Sequence, residues 1–171
     1  MNVHEVVLTS IRRELRNTPG FSWVSYNEAA NYCADENINY DEAVKWASRS
    51  ISSNENFDNL ETLAQLQKKM GKPDESVKTI QRAMLIGKPM DINSYARQLL
   101  REKKTEEAMK FFEYNLKMNP EEWYVYAGMA RGYEAKGDSK LAIENMKTAL
   151  DKAPEAMKPG IKATIKQWEA K

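Results

Sequence analysis

His4 and Cys33 are the single histidine and single cysteine of this chain, so a general base, a thiol nucleophile or a zinc centre would have to begin with them. Zinc needs three or four Cys, His or acidic ligands, and one histidine near the N-terminus with one distant cysteine makes no such set. Cys33 follows Tyr32 in a predicted helix, with no histidine indicated to take its proton, and reads as a packed thiol. A lone cysteine forms no internal disulfide, so reducing and oxidising compartments are both permitted. The acidic pairs Glu106–Glu107 and Glu121–Glu122 stand where helices should begin, and there carboxylates complement exposed amide groups. Glycoside hydrolysis would need two carboxylates at a set separation across a cleft, which spacing in sequence does not establish. Gly71, Gly128, Gly132 and Gly137 are isolated and form no phosphate-cradling loop. These residues point to a chain that is not an enzyme, with no catalytic residues, no metal site and no cofactor.

Charge narrows the partners. Twenty-six basic against twenty-five acidic residues leave a formal charge of +1, which creates no field to draw in nucleic acid or a membrane surface. The basic stretches Gln67–Lys72 and Leu100–Glu107 are short and interrupted, and Arg97, Arg101 and Arg131 form only a modest cluster. Tyr and Trp could stack bases, but no basic stripe accompanies them. No nucleic-acid role is expected. No apolar run approaches the roughly 18 residues of a membrane span, so no transmembrane segment is expected. The first residues lack the basic start and apolar core of a secretion signal.

The elements that must position any binding residue come from a repeat. The stretches Tyr40–Ile51, Pro73–Met84, Thr105–Leu116 and Ser139–Leu150 superpose without gaps, with Ala43, Ser76, Ala108 and Ala142 separated by 33, 32 and 34 residues. Ala47, Ile80, Phe112 and Met146 follow one helical turn later, and Ile51, Met84, Leu116 and Leu150 one turn after that. Before each such helix lies a second candidate helix. It carries Ala30, Leu63, Tyr95 and Met129 next to Asn31, Ala64, Ala96 and Ala130, with Ala34, Gln67, Leu99 and Tyr133 further on. Large beside small permits close helix approach. Connectors at Asn37–Asn39, Gly71–Asp74 and Lys136–Ser139 carry turn and cap residues. A helix–turn–helix unit therefore recurs four times, and such units bury their apolar faces against neighbours.

This pattern resembles the tetratricopeptide repeat family. The fourth repeat matches best, through Tyr126, Met129, Ala130, Tyr133, Gly137, Ala142, Met146, Ala149 and Pro154. The third has Ile92, Tyr95, Ala96, Leu99, Ala108, Phe112 and Pro120, with Asn115 in place of a small residue. The second keeps Leu60, Leu63, Ala64, Gly71, Ser76, Ile80 and Ala83, but has Gln67 where an aromatic is common. The first departs at Asn31, Ile38 and Ser50. The resemblance implies an all-α fold of tandem antiparallel helix pairs in a right-handed superhelical stack, with repeats at about 24–56, 57–88, 89–122 and 123–156. Residues 1–23 are expected to form an N-terminal packing or linker helix on Val3, Val6, Val7 and Ile11. Phe21 and Trp23 should cover the first repeat, and Trp123 should seal the junction of the third and fourth. Residues 157–171 should form a capping helix on Ile161, Ile165 and Trp168.

In that family the first helix of each pair lines a concave side that accepts extended peptides or helices. Carried over by position, the lining residues most suited to a ligand are Tyr32, Gln65, Arg97, Leu100, Tyr124, Arg131 and Glu134. Glu28 and Tyr32, or Glu61 and Gln65 after a one-repeat shift, stand where one subtype carries a clamp for a terminal carboxylate, so the role of a chaperone-tail receptor is not expected. A narrower resemblance runs through Gly20–Trp23, Ala29–Cys33, Glu42–Ala47, Ser50–Ile51 and Asn56–Phe57. It is to the C-terminal helical region of uncharacterised bacterial envelope proteins that carry an upstream β-rich domain. The expected function is a non-catalytic helical-repeat scaffold whose partner is a protein or peptide, bound in the concave groove. The alternative is a mainly structural C-terminal domain of a larger envelope protein, with the upstream domain as its partner in cis and the bacterial periplasm or cell envelope as its location.

Overall fold

The computed structural model describes residues 3–16 and 22–170. Phe21 lies outside them. The helices are α1 Val3–Glu14, α2 Trp23–Glu36, α3 Tyr40–Ser53, α4 Phe57–Lys69, α5 Pro73–Ile86, α6 Pro89–Arg101, α7 Thr105–Met118, α8 Trp123–Lys136, α9 Ser139–Lys152 and α10 Lys158–Glu169, with a short 3-10 turn at Glu155–Met157 before the last. The fold is all-α and built of antiparallel pairs. Two compact units divide it, Met1–Gly87 and Lys88–Lys171.

In the first unit α2 pairs with α3 and α4 with α5, while α4 also meets α2 and α3. Ala30 and Ala34 of α2 and Ala43 and Ala47 of α3 are all completely buried. With only a Cβ at these positions the two backbones can approach closely, and Trp46, Cys33 and Leu66 complete the core. α1 adds Leu8 to this cluster, with Ile11 and Leu15 partly buried against it. The second repeat uses polar contacts where the others use apolar ones. Ser76 Oγ donates to the Ala64 carbonyl at 2.7 Å, and Thr79 Oγ1 donates to Gln67 Oε1 at 2.8 Å. Gln67, the departure from the usual aromatic, is thus tied across the α4–α5 pair.

The second unit pairs α6 with α7 and α8 with α9; α8 also packs on α6 and α7, and α10 covers α9. Phe112 of α7 is 1 % exposed, and removing such a ring would cost about 3–5 kcal/mol. It packs against glycines. A Cβ at Gly128 would lie 2.7 Å from the Phe112 ring and 2.4 Å from Asn93 Oδ1, and one at Gly132 would lie 2.3 Å from Met109 Sδ. Gly128 and Gly132, one helical turn apart, are the places where α8 presses its backbone on its neighbours. Tyr95 and Phe111 meet edge to face, with ring centroids 4.8 Å apart. At the C-terminal end Met146, Ala149, Ala153, Ile161 and Ile165 form a core that Trp123, Tyr126 and Trp168 flank. Trp123 therefore packs into the cluster of the last pair and α10.

Two further departures from the repeat pattern, Ser50 and Asn115, share one role. Ser50 Oγ donates to the carbonyl of Trp23 at 2.8 Å, and Asn115 Nδ2 donates to the carbonyl of Pro89 at 2.7 Å. Trp23 and Pro89 are the first residues of α2 and α6, so each unit pins the start of a first helix from the same position of its partner. Both side chains are completely buried, and an alanine in place of either would forfeit the bond at a cost of about 0.5–1.5 kcal/mol.

Every turn within a pair carries a left-handed residue: Asn37 at φ 56°, Gly71 at 77°, Lys103 at 60° and Gly137 at 83°. Only two are glycines. Lys103→Gly is expected to raise stability by about 0.5–1 kcal/mol, because a Cβ is disfavoured at that φ. Gly128→Ala should lower it by about 1–3 kcal/mol, and Gly132→Ala by less, because the Met109 thioether can shift where the Phe112 ring cannot. Gly160→Ala in α10 has open space around it and should be neutral or gain up to about 1 kcal/mol. Urea unfolding of the four variants checks the order.

Candidate protein-binding face

Tyr32 and Gln65 belong to the first unit, on α2 and α4. Tyr32 is half-buried, and its Oη lies 3.3 Å from His4 Nδ1 on α1. Its α2 surface faces the chain's own N-terminal helix across an open cleft of about 200 Å³ lined by Ile11, Glu14, Leu15, Ser25, Glu28, Ala29 and Tyr32. Desolvation, with the charge of Glu36, moves the Tyr32 phenol upward. α1 is tethered beyond the cleft. Arg12 donates to both carboxylate oxygens of Glu42 on α3, at 2.7 Å in the shortest contact, and Asn39 donates a further bond to Glu42. Those bonds hold the Glu42 carboxyl below its usual range; exposure of both side chains keeps the pair to about 1 kcal/mol or less. Gln65 Oε1 is buried and accepts no hydrogen bond among the described residues.

The other predicted residues lie in the second unit. Arg97 and Leu100 are on α6, and Tyr124, Arg131 and Glu134 on α8. Arg97 and Arg131 are exposed, whereas Leu100, Tyr124 and Glu134 are half-buried. Asn93, one turn before Arg97, is only 4 % exposed and lies in the α6–α8 seam beside Gly128. That contact fixes the neighbours: one turn further along each helix come Arg97 and Arg131. Partial burial depresses the Arg131 guanidinium, Arg97 depresses it further, and Glu134 opposes both; an arginine remains charged regardless. Neither arginine has an ion pair within 4.0 Å among the described residues. Tyr124 stands against Trp123 in an edge-to-face contact of 5.9 Å. Desolvation first, then Glu122 and Asp91, raise its phenol.

Sequence reasoning missed the seam glycines. Their spacing of four within one helix was the available signal, since it puts both on one face. Among the described residues no cluster of three or more His, Cys, Asp or Glu is arranged to hold a metal ion, and no described helix is long and apolar enough to cross a membrane.

Comparison with known proteins places the architecture. Neither a protein-family model nor a curated protein matches the chain. Among solved structures, the C-terminal part of a tetratricopeptide repeat-containing protein from Cytophaga hutchinsonii is similar with a TM-score of 0.52 at 15 % identity, over 86 % of this chain and 58 % of that one. YrrB, a tetratricopeptide protein with an unusual peptide-binding site, gives 0.48 at 20 % identity over 90 % and 79 %. MamA gives 0.48 at 14 % identity over 85 % of each chain. With the antiparallel pairs and the repeated seams, the first of these likenesses defines a tetratricopeptide-like helical-repeat fold. At such identities the likeness concerns fold alone.

Cys33 is completely buried, and burial, reinforced by the Glu42 charge, pushes its thiol from an ordinary 9.0 to about 11. The folded protein therefore keeps this proton where the unfolded chain has lost it, so its contribution is full below the unfolded value and fades as pH rises through the folded one. Stability should fall between about pH 9 and 11, and Cys33→Ala should flatten that decline. Thiol titration of the native protein at pH 8 should find Cys33 unreactive until denaturant is added; rapid native labelling would contradict the burial.

Proposed function

We propose that this chain is a non-catalytic helical-repeat scaffold that binds a protein or peptide segment, and that the segment lies on the α6–α8 face of the second unit. The observation that carries the reading is the close Asn93–Gly128 contact, one turn past which Arg97 and Arg131 stand exposed on adjacent first helices that also carry the half-buried Leu100 and Tyr124. Arginine and aromatic anchors with an apolar flank are the groups that dominate binding energy at protein interfaces. The all-helical fold and the sequence's lack of a recognisable catalytic set are consistent with a scaffold. Tyr32 is the weaker member of the proposed groove, because its hydroxyl lies within hydrogen-bonding distance of His4 on α1.

The resemblance of the N-terminal half to envelope proteins supports a second reading, a structural domain for an upstream segment in cis, in the periplasm or cell envelope. A photo-crosslinking residue in place of Arg101, on α6 beside Leu100, separates the two. In cells of the source organism it should yield discrete adducts with another polypeptide, while the same residue in place of Lys140, on α9, should not. No adduct from Arg101, or the same adducts from both positions, would remove the α6–α8 face as a binding site.

A further inference from the structure

We infer that the α6–α8 face selects an acidic protein segment, with a carboxylate seated between the guanidinium groups of Arg97 and Arg131; this rests on the protein-binding reading above. The argument begins at the seam. Asn93 on α6 touches Gly128 on α8 so closely that a Cβ would lie 2.4 Å from its Oδ1. The two helices occupy equivalent places in successive antiparallel pairs and so run in the same direction. One turn beyond the contact, Arg97 and Arg131 are brought side by side.

Two like charges there repel, and no carboxylate stands within 4.0 Å of either among the described residues. Glu134 offsets the repulsion in part, while Arg101, exposed one turn past Arg97, adds positive charge. A bound carboxylate accepts hydrogen bonds from both planar groups, in charge-assisted and bidentate geometry. It converts a repulsive pair into a clamp. Leu100 and Tyr124 offer apolar surface for the residues flanking the acid.

Nucleic acid fits less well. Its evenly spaced phosphates would meet Asp91, Glu122 and Glu134 around the same face, and the chain's net charge of +1 supplies no surrounding field.

The test uses the full chain against a phage-displayed library of random dodecapeptides, whose acids are all internal. Selected peptides should share an Asp or Glu at one position. Its replacement by Asn or Gln in a synthetic peptide should weaken binding about tenfold or more. Arg97→Gln with Arg131→Gln should cause the same loss, and the two losses should not add; thermal unfolding confirms that the variant remains folded. Arg131→Lys keeps the charge but not the fork and should recover only part of the affinity. Comparing free and amidated C-termini tells a terminal carboxylate from a side-chain one. Selected peptides without an acid, or additive losses, overturn the acidic preference and leave protein binding standing. If nothing is selected, both readings fall, and tighter binding of oligothymidylate than of any peptide assigns the face to nucleic acid instead.

Discussion

Helices can bring their backbones close together only where something at the seam is small, and this fold depends on where its alanines and glycines fall. Ala30, Ala34, Ala43 and Ala47 do this for α2 and α3, and Gly128 and Gly132 let α8 approach Phe112 and Met109. A large side chain then fills the space beside each small one, as Trp46 does in the first unit and Phe112 and Met146 in the second. The gain is tight packing, and every added methylene is felt in a core of that density. The helix-weakening effect of two glycines in α8 is offset by what their absent side chains allow.

Polar residues that break the apolar pattern are absorbed into the same geometry. Ser50 and Asn115, themselves completely buried, find their partners in carbonyls at the starts of α2 and α6. Gln67 and Ser76 bind across α4–α5. In each case one partly buried hydrogen bond joins two elements and gives the polar side chain a partner, the condition under which such a group is tolerated inside a seam. Degeneracy in the repeat is therefore a change in the chemistry of the seam, with the helix pair retained.

A seam built this way also sets what the outer surface presents. Once Asn93 is drawn against Gly128, Arg97 follows one turn later on α6 and Arg131 one turn later on α8, near enough for the charge of Arg97 to weigh on the Arg131 guanidinium. In the first unit, the corresponding surface of α2 is opposed by α1, held through Leu8 and the Arg12–Glu42 pair, so Tyr32 answers to His4 as well as to solvent.

The helices and their pairing were legible in the sequence because a helical period and a recurring small–large alternation are local signals, each readable from side chains a few residues apart. Tyr40–Ser53 and its three counterparts lie where the alternation placed them. The candidate binding residues were legible only as register positions. Asn93 shared that register with Arg97 and is nonetheless buried, since whether a residue faces a groove or a neighbouring helix depends on how far that neighbour stands away. Lys103 takes a left-handed turn with no glycine to announce it, because the two helices it joins dictate its backbone. The pattern of side chains along the chain determined which segments become helices and which of their faces seek burial. The tertiary structure alone decided which polar groups are sealed into seams, because that outcome turns on distances of a few ångströms between residues that periodicity relates only by angle.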